Sequence, residues 1–447
     1  MTVPPPTNQH PGHLKRALGL PSLVLFGMVY IVPLTVFTTY GIVTQMTGGR
    51  LPVAYALTLI AMFFTALSYA RMSVAFPVAG SAYTYTQKTF GAPLGFLAGW
   101  SLLLDYLFLP MLNYLVVGIY LEAAFPSVPA WMFIVAAIAI VTVLNVVGIV
   151  SVARANFLII AIQTIFIVTF IAMAIATISG NGDVNFTAPL RGDGSAVGTG
   201  AVLAGAAVLC LSFLGFDAVS TLAEEANDPT RNVPRAIVIA TVASGVLFIV
   251  LSYLSHLVFP AHAFTDVDSG ALDVMRTAGG RFLDTFFTSA YVAGALGSAL
   301  TSQASVARVL FAMGRDRILP RPFFGHLSPR FSTPVYAILL VSLVSLLAVV
   351  IDLATLASIV SFGALVAFSV VNLSVVKHYF IDSGERSPLR NLVLPLIGFV
   401  LTVWLWTSLS GPTLKVGIVW LAAGFLWLVA VTRGFRRPTP VMDIEVE

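Results

Sequence analysis

The sequence predicts an all-α integral membrane protein with twelve transmembrane helices, and three observations predict it. Of the 447 residues, 58% are hydrophobic and only 9% charged, with a mean hydropathy of +0.96, outside the composition of soluble globular domains. Apolar runs of the roughly 20 residues needed to cross a hydrocarbon core of about 30 Å recur from residue 20 to residue 432. The runs are long and uniformly apolar rather than alternating over short segments, which excludes a β-barrel and leaves a helical bundle.

The twelve runs fall at 20–45, 52–70, 93–121, 131–150, 156–179, 200–222, 235–259, 283–313, 334–351, 354–378, 392–410 and 414–432. With the N-terminus inside, 18 of the 23 Lys and Arg lie on the cytoplasmic side, and only Arg50, Arg191, Arg276, Arg281 and Lys415 fall outside. That asymmetry places both termini in the cytoplasm of a multi-pass cell-membrane protein. The net charge of +4 then belongs to loops beside an anionic leaflet of the bilayer; neither nucleic acid nor an obligate protein partner is expected. The first run is too long for a signal peptide and lacks a small-residue cleavage pattern, so it is expected to be retained behind a short polar tail, 1–18. Cys210 stands alone, which precludes a disulfide within the chain and reads as packing.

Taken in order, the first run is interrupted by Gly27, Pro33 and Gly41 beside Thr35 and Thr38. The second ends near Arg71. The third carries Asp105 near its middle, then Tyr106 and Pro110; an ionisable group at that depth costs about 3 kcal/mol on insertion scales and faces the bundle interior. The sixth reads Phe213-Leu-Gly-Phe-Asp and ends in Glu224 and Glu225, close to Arg231 and Arg235. No other run combines a small-residue interruption with hydroxyl or acidic neighbours in this way.

The two interrupted runs are the first of one set of five and the first of the next. An odd number per set makes the copies inverted, with repeats at about 19–180 and 198–379 forming a core over 19–379. Two additional helices at 380–432 and a tail at 433–447 follow. Matched discontinuous helices near the midplane are the sequence signature of a transporter whose halves rock around a central site. The alternative is that Gly and Pro are accommodated as ordinary kinks.

On the transporter reading, the candidate substrate site comprises Tyr30, Thr35, Thr38, Asp105, Tyr106, Phe213, Gly215, Phe216 and Asp217. Asp105 attracts an amine or titrates with a coupling proton. Asp217 holds an amine or caps the unwound backbone. The aromatic rings enclose an aliphatic amine or simply pack. Glu224, Glu225, Arg71 and Arg315, together with Asp105, are candidates for gating or coupling through an interfacial charge network, Arg71 or Arg315 being the partner of the glutamates. Snorkelling and a solvated acidic loop are the plainer alternatives. No metal or cofactor is expected. The chain has no phosphate-binding loop for a primary pump, no filter repeat for a channel and no nucleophile motif for an enzyme.

Several stretches carry a family resemblance. They are Phe76-Pro-Val-Ala-Gly-Ser-Ala-Tyr-Thr-Tyr-Thr-Gln-Lys, Gly99-Trp-Ser-Leu-Leu-Leu-Asp-Tyr-Leu-Phe-Leu-Pro, Phe213-Leu-Gly-Phe-Asp with Ala223-Glu-Glu-Ala-Asn-Asp-Pro, Met313-Gly-Arg-Asp-Arg-Ile-Leu-Pro and Ser361-Phe-Gly-Ala-Leu-Val-Ala-Phe. From Gly19 to about Trp427 the chain resembles the amino acid-polyamine-organocation (APC) superfamily of permeases and, within it, bacterial putrescine importers. The resemblance implies a LeuT-like 5+5 inverted-repeat fold and import of an amine-bearing solute, a polyamine such as putrescine or an amino acid, with a coupling proton. The alternative is an amino acid permease or exchanger without polyamine activity. Two positions depart from the pattern. Thr38 stands where the compared importers have an Asp, and Gln163 stands where some permeases of the superfamily have a Lys, so a lysine-based proton switch is not expected.

Overall fold

The computed structural model describes residues 18–78, 81–148, 152–180, 182, 184–192, 197–260, 263–315, 318–331, 333–385 and 387–439. The expected tails at 1–18 and 433–447 lie largely outside the described residues. Backbone polar groups in hydrocarbon must be satisfied within the segment, and each apolar run is accordingly helical.

The first run is α1 (Leu20–Ile31), a 3-10 turn over Pro33–Phe37 and α2 (Tyr40–Met46). Val32 at the break has φ 53°, and Pro33 has no N–H with which to continue the helix. Then come α3 (Leu51–Ala75), α4 (Ser81–Phe90), α5 (Ala92–Ala124), α6 (Ala130–Val147), α7 (Val152–Gly180) and the short α8 (Ala188–Arg191). The sixth run is α9 (Thr199–Val208), a 3-10 turn over Leu209–Phe213, and a second 3-10 stretch over Asp217–Leu222. After it follow α10 (Pro229–Val258), α11 (Ala271–Arg315), α12 (Arg321–Phe324), α13 (Val335–Ser345), α14 (Leu353–Val375), α15 (Leu394–Thr407) and α16 (Gly411–Val431). Wide π-type turns over Val376–Asp382 and Leu389–Val393 join α14 to α15.

Among the described residues, ten segments are long and apolar enough to cross a membrane. The other two expected runs correspond to α11 and to the shorter apolar helix Val335–Val349. α11 starts well before the expected residue 283 because it is kinked at Gly279 and Gly280 and its first part is polar, with Arg276 paired to Asp284 at 2.9 Å. Large apolar side chains, Val143, Val168, Val419 and Leu426 among them, are exposed on the periphery, as a lipid-facing surface requires. No β-strand occurs among the described residues; one isolated bridge joins Leu18 to Ala226.

Packing brings the two broken runs together. α1 lies on α10 and on the Asp217–Leu222 turn; a Cβ at Gly27 would sit 2.7 Å from Val219 Cγ2 and 2.9 Å from Ala240 Cβ, so only the smallest residue allows this approach. α5 is flanked by α11 and α14, and α3 by α10 and α15.

Candidate functional site

The two breaks touch each other. Gly215 has φ +117°, and a Cβ there would meet the Tyr30 ring and lie 3.1 Å from the Tyr30 carbonyl carbon and 3.2 Å from the Ile31 nitrogen. Both the dihedral and the space call for glycine. Side-chain hydroxyls take up carbonyls at the interrupted ends: Thr35 Oγ1 donates to Val32 O at 2.6 Å, and Ser361 Oγ of α14 donates to Val208 O, at the end of α9, at 3.2 Å. Asp217 opens the second 3-10 stretch, and its Oδ2 accepts from Ser81 Oγ at 3.0 Å. Ser81 is the first residue of α4 and has φ 49°.

Beside this contact lies a cavity of about 70 Å³, room for several water molecules. The first break contributes Tyr30, Thr35 and Thr38; α5 contributes Asp105, Tyr106 and Asn113; the second break contributes Gly215 and Asp217; α11 contributes Tyr291 and Ser298. Leu109, Leu112, Val116, Leu211 and Leu214 supply an apolar wall. Asp105 is 6% and Asp217 8% exposed. Asp105 Oδ1 is buried with no hydrogen-bond partner among the described residues. The backbone beneath it is fixed where α14 crosses: Ser101 Oγ donates to Gly363 O at 2.8 Å, and a Cβ at Gly363 would lie 3.2 Å from Asp105 N.

Tyr30, Thr35, Thr38, Asp105, Tyr106, Gly215 and Asp217 thus line one cavity. Phe213 and Phe216 do not reach the cavity. Phe213 packs on Phe248 with ring centroids 5.5 Å apart, and Phe216 packs on Tyr69 at 5.4 Å and Phe368 at 5.1 Å. The backbone on either side of Gly215 turns Leu214 and Asp217 inward, which leaves both phenylalanines facing neighbouring helices.

Of the expected charge network, the Arg71 branch has a different partner. Arg71, near the end of α3, donates from Nη2 to Asn391 Oδ1 at 2.8 Å, and its acidic partner is Glu385 at 3.3 Å rather than Glu224 or Glu225. Glu225 accepts through its backbone oxygen from Leu18 N at 3.1 Å, Glu224 is exposed, and Arg315 ends α11.

Sequence reasoning missed Asn113, Tyr291, Ser298 and Ser81. The first was within reach, since Asp105, Leu109, Leu112, Asn113 and Val116 follow helical spacing down one face of α5. Asn113 Nδ2 donates to Ser298 Oγ at 3.1 Å, linking α5 to α11. Tyr291 and Thr38 share a short hydroxyl–hydroxyl hydrogen bond. Tyr120 donates to Phe37 O at 3.0 Å and its ring meets Tyr291 at 4.9 Å. Phe37 meets Phe287 edge-on at 5.3 Å, and Tyr40 meets Phe264, in the connection between α10 and α11, at 5.9 Å. On another flank a second cavity of about 250 Å³ borders Tyr30, Gln163, Ser298, Thr301, Ser302 and Ser305.

Comparison with known proteins gives a consistent picture. A family model described as amino acid permease matches residues 22–411. The chain is 39% identical over 436 residues to the low-affinity putrescine importer PlaP of Escherichia coli (strain K12), with 96% of each chain covered. It is 29% identical over 443 residues to the branched-chain amino acid permease BcaP of Bacillus subtilis (strain 168) and 28% identical over 437 residues to the methylthioribose transporter of the same organism, with 92% of each chain covered in both cases.

Proposed function

The chain belongs to the amino acid permease family and is therefore a membrane transporter rather than an enzyme, and on that premise we propose that it imports an amine-bearing solute, with diamines of the putrescine type as preferred cargo. The observation that carries this reading is that Asp105 and Asp217 turn two carboxylates into one small cavity at the contact between the broken helices. A buried charge is unfavourable unless paired, and a cationic amine supplies the missing partner. Asp217, held by Ser81, receives an ammonium group. The methylene chain lies along Leu109, Leu112 and Leu211, and the far ammonium meets the faces of Tyr30, Tyr106 and Tyr291. Asp105, with an oxygen that no described protein group satisfies, admits the coupling proton. The identity to a putrescine importer supports the same cargo.

The transport cycle follows from the two breaks. In this reading the chain crosses the cell membrane twelve times with both termini in the cytoplasm, and inverted repeats at about 19–180 and 198–379 rock around the site. The Thr38–Tyr291 and Tyr120–Phe37 hydrogen bonds close the outer side. Glu224, Glu225 and Arg315 belong to the charged set that opens and closes the inner side, and Arg71 takes part through Glu385. A zwitterionic amino acid is the second cargo class, favoured by Thr38, a hydroxyl in a cavity wall where a further carboxylate would suit a diamine.

The test is uptake of labelled putrescine into proteoliposomes under an inward proton gradient, with spermidine, arginine, alanine and methionine as competitors. Saturable putrescine uptake displaced only by polyamines supports the reading. No putrescine uptake, together with exchange of an amino acid, overturns it in favour of the second cargo class.

A further inference from the structure

We propose that a groove between α3, α10 and α15, at the basic end of the bundle, binds an anionic phospholipid. The groove has a volume of about 280 Å³ and is lined by Leu67, Arg71, Val74, Pro234, Arg390 and Leu394, among others. α10 and α15 both pack on α3, and the groove lies in the seam between them. Its surroundings are apolar and exposed: Val74, Ile239, Val393 and Leu396 present large side chains outward. The seam therefore opens to hydrocarbon rather than to the transport cavity.

Two arginines stand in this groove. Arg71 is held in place, because its Nη2 donates to Asn391 Oδ1 at 2.8 Å, its guanidinium lies 4.2 Å over the Tyr379 ring and its carbonyl accepts from the Tyr379 hydroxyl at 3.0 Å. Its Nε is nevertheless buried with no hydrogen-bond partner among the described residues; such a group calls for an acceptor. Arg390 precedes Asn391 in the Leu389–Val393 turn and makes no ion pair or hydrogen bond among the described residues. Among the described residues one carboxylate, Glu385, meets Arg71, and it is half-exposed. The groove is left with net positive charge.

An occupant must match both parts. Guanidinium groups fit the oxygens of a phosphate, and basic pockets between transmembrane helices on the cytoplasmic side suit anionic headgroups. A soluble phosphate would leave the apolar seam unfilled, whereas a phospholipid fills it with an acyl chain. A zwitterionic lipid brings the chain without the net charge.

Native mass spectrometry of the full-length protein in a nonionic detergent tests this, with phosphatidylglycerol and phosphatidylcholine of matched chains as probes. The expected result is a stoichiometric phosphatidylglycerol adduct at about tenfold lower lipid concentration than phosphatidylcholine requires, as one or two added charge-assisted contacts imply. Arg390→Gln removes that preference while keeping the thermal midpoint of the folded protein, and Arg433→Gln, a control at an exposed arginine outside the groove, retains it. Equal binding of the two lipids, an unchanged preference in Arg390→Gln, or displacement of the adduct by millimolar inorganic phosphate would overturn the proposal.

Discussion

Ser81 Oγ donates to Asp217 Oδ2 across 3.0 Å, so the first turn of α4 holds the carboxylate that opens the second 3-10 stretch of the sixth run. A hydrogen bond to a charged group contributes about 1.5–3 kcal/mol. Ser81→Ala is therefore expected to raise the putrescine KM by roughly tenfold or more, with kcat little changed. An unchanged KM in a well-folded Ser81→Ala protein would remove Asp217 from the binding step.

Gly215 joins the breaks where the Tyr30 ring and backbone leave no room for a side chain of its own. At φ +117° and with the Tyr30 backbone 3.1 Å from a built Cβ, Gly215→Ala forces the breaks apart and adds backbone strain of about 1–3 kcal/mol. Uptake falls, and the thermal midpoint in detergent falls with it. Wild-type uptake by Gly215→Ala would mean that the contact is dispensable to the cycle.

Thr38 and Tyr291 bind each other across the break in the first run and α11. Thr38→Val and Tyr291→Phe are each expected to raise KM by about two- to tenfold, the range of one neutral hydrogen bond. Because they remove the same bond, the double variant should be no worse than the poorer single one. Strictly additive losses would show that the two hydroxyls act separately.

These residues mark where the sequence was legible and where it was not. The runs were readable because bilayer thickness sets their length, and the breaks because Gly and Pro cannot be neutral within a helix. Asp105 was readable because a charge at that depth needs a reason. Phe213 and Phe216 went astray because helical spacing lapses in the 3-10 turns beside Gly215, so which side faces the cavity cannot be counted. Tyr291 and Ser298 acquire their roles only when α11 packs on α5. Arg71 finds Glu385 from 314 positions away in the chain, a pairing set by how α3 packs beside the connection from α14 to α15 and not by any local pattern.

Asp268, in the connection between α10 and α11, bears on the pH dependence of stability. Burial, and then the negative charges of Asp266 and Asp352, push its carboxyl above the usual carboxylate range. The folded chain thus holds this proton more tightly than the unfolded chain. The resulting stabilisation is full below about pH 4, the unfolded value, and is lost as pH rises through the raised folded value. Asp268→Asn is expected to match the wild type in thermal midpoint at the acid end and to exceed it at neutral pH. A midpoint difference that does not vary with pH would contradict this assignment.

Two carboxylates, Asp105 and Asp217, line one cavity, and the proposed function gives them different tasks. Equilibrium binding of labelled putrescine to the purified protein, compared among wild type, Asp217→Asn and Asp105→Asn across a range of pH, tests this most directly. The account predicts that Asp217→Asn weakens binding by at least about tenfold, the loss of one charge-assisted contact, and that Asp105→Asn binds putrescine with an affinity that no longer varies with pH. Wild-type affinity in Asp217→Asn, with the pH dependence intact in Asp105→Asn, would contradict it.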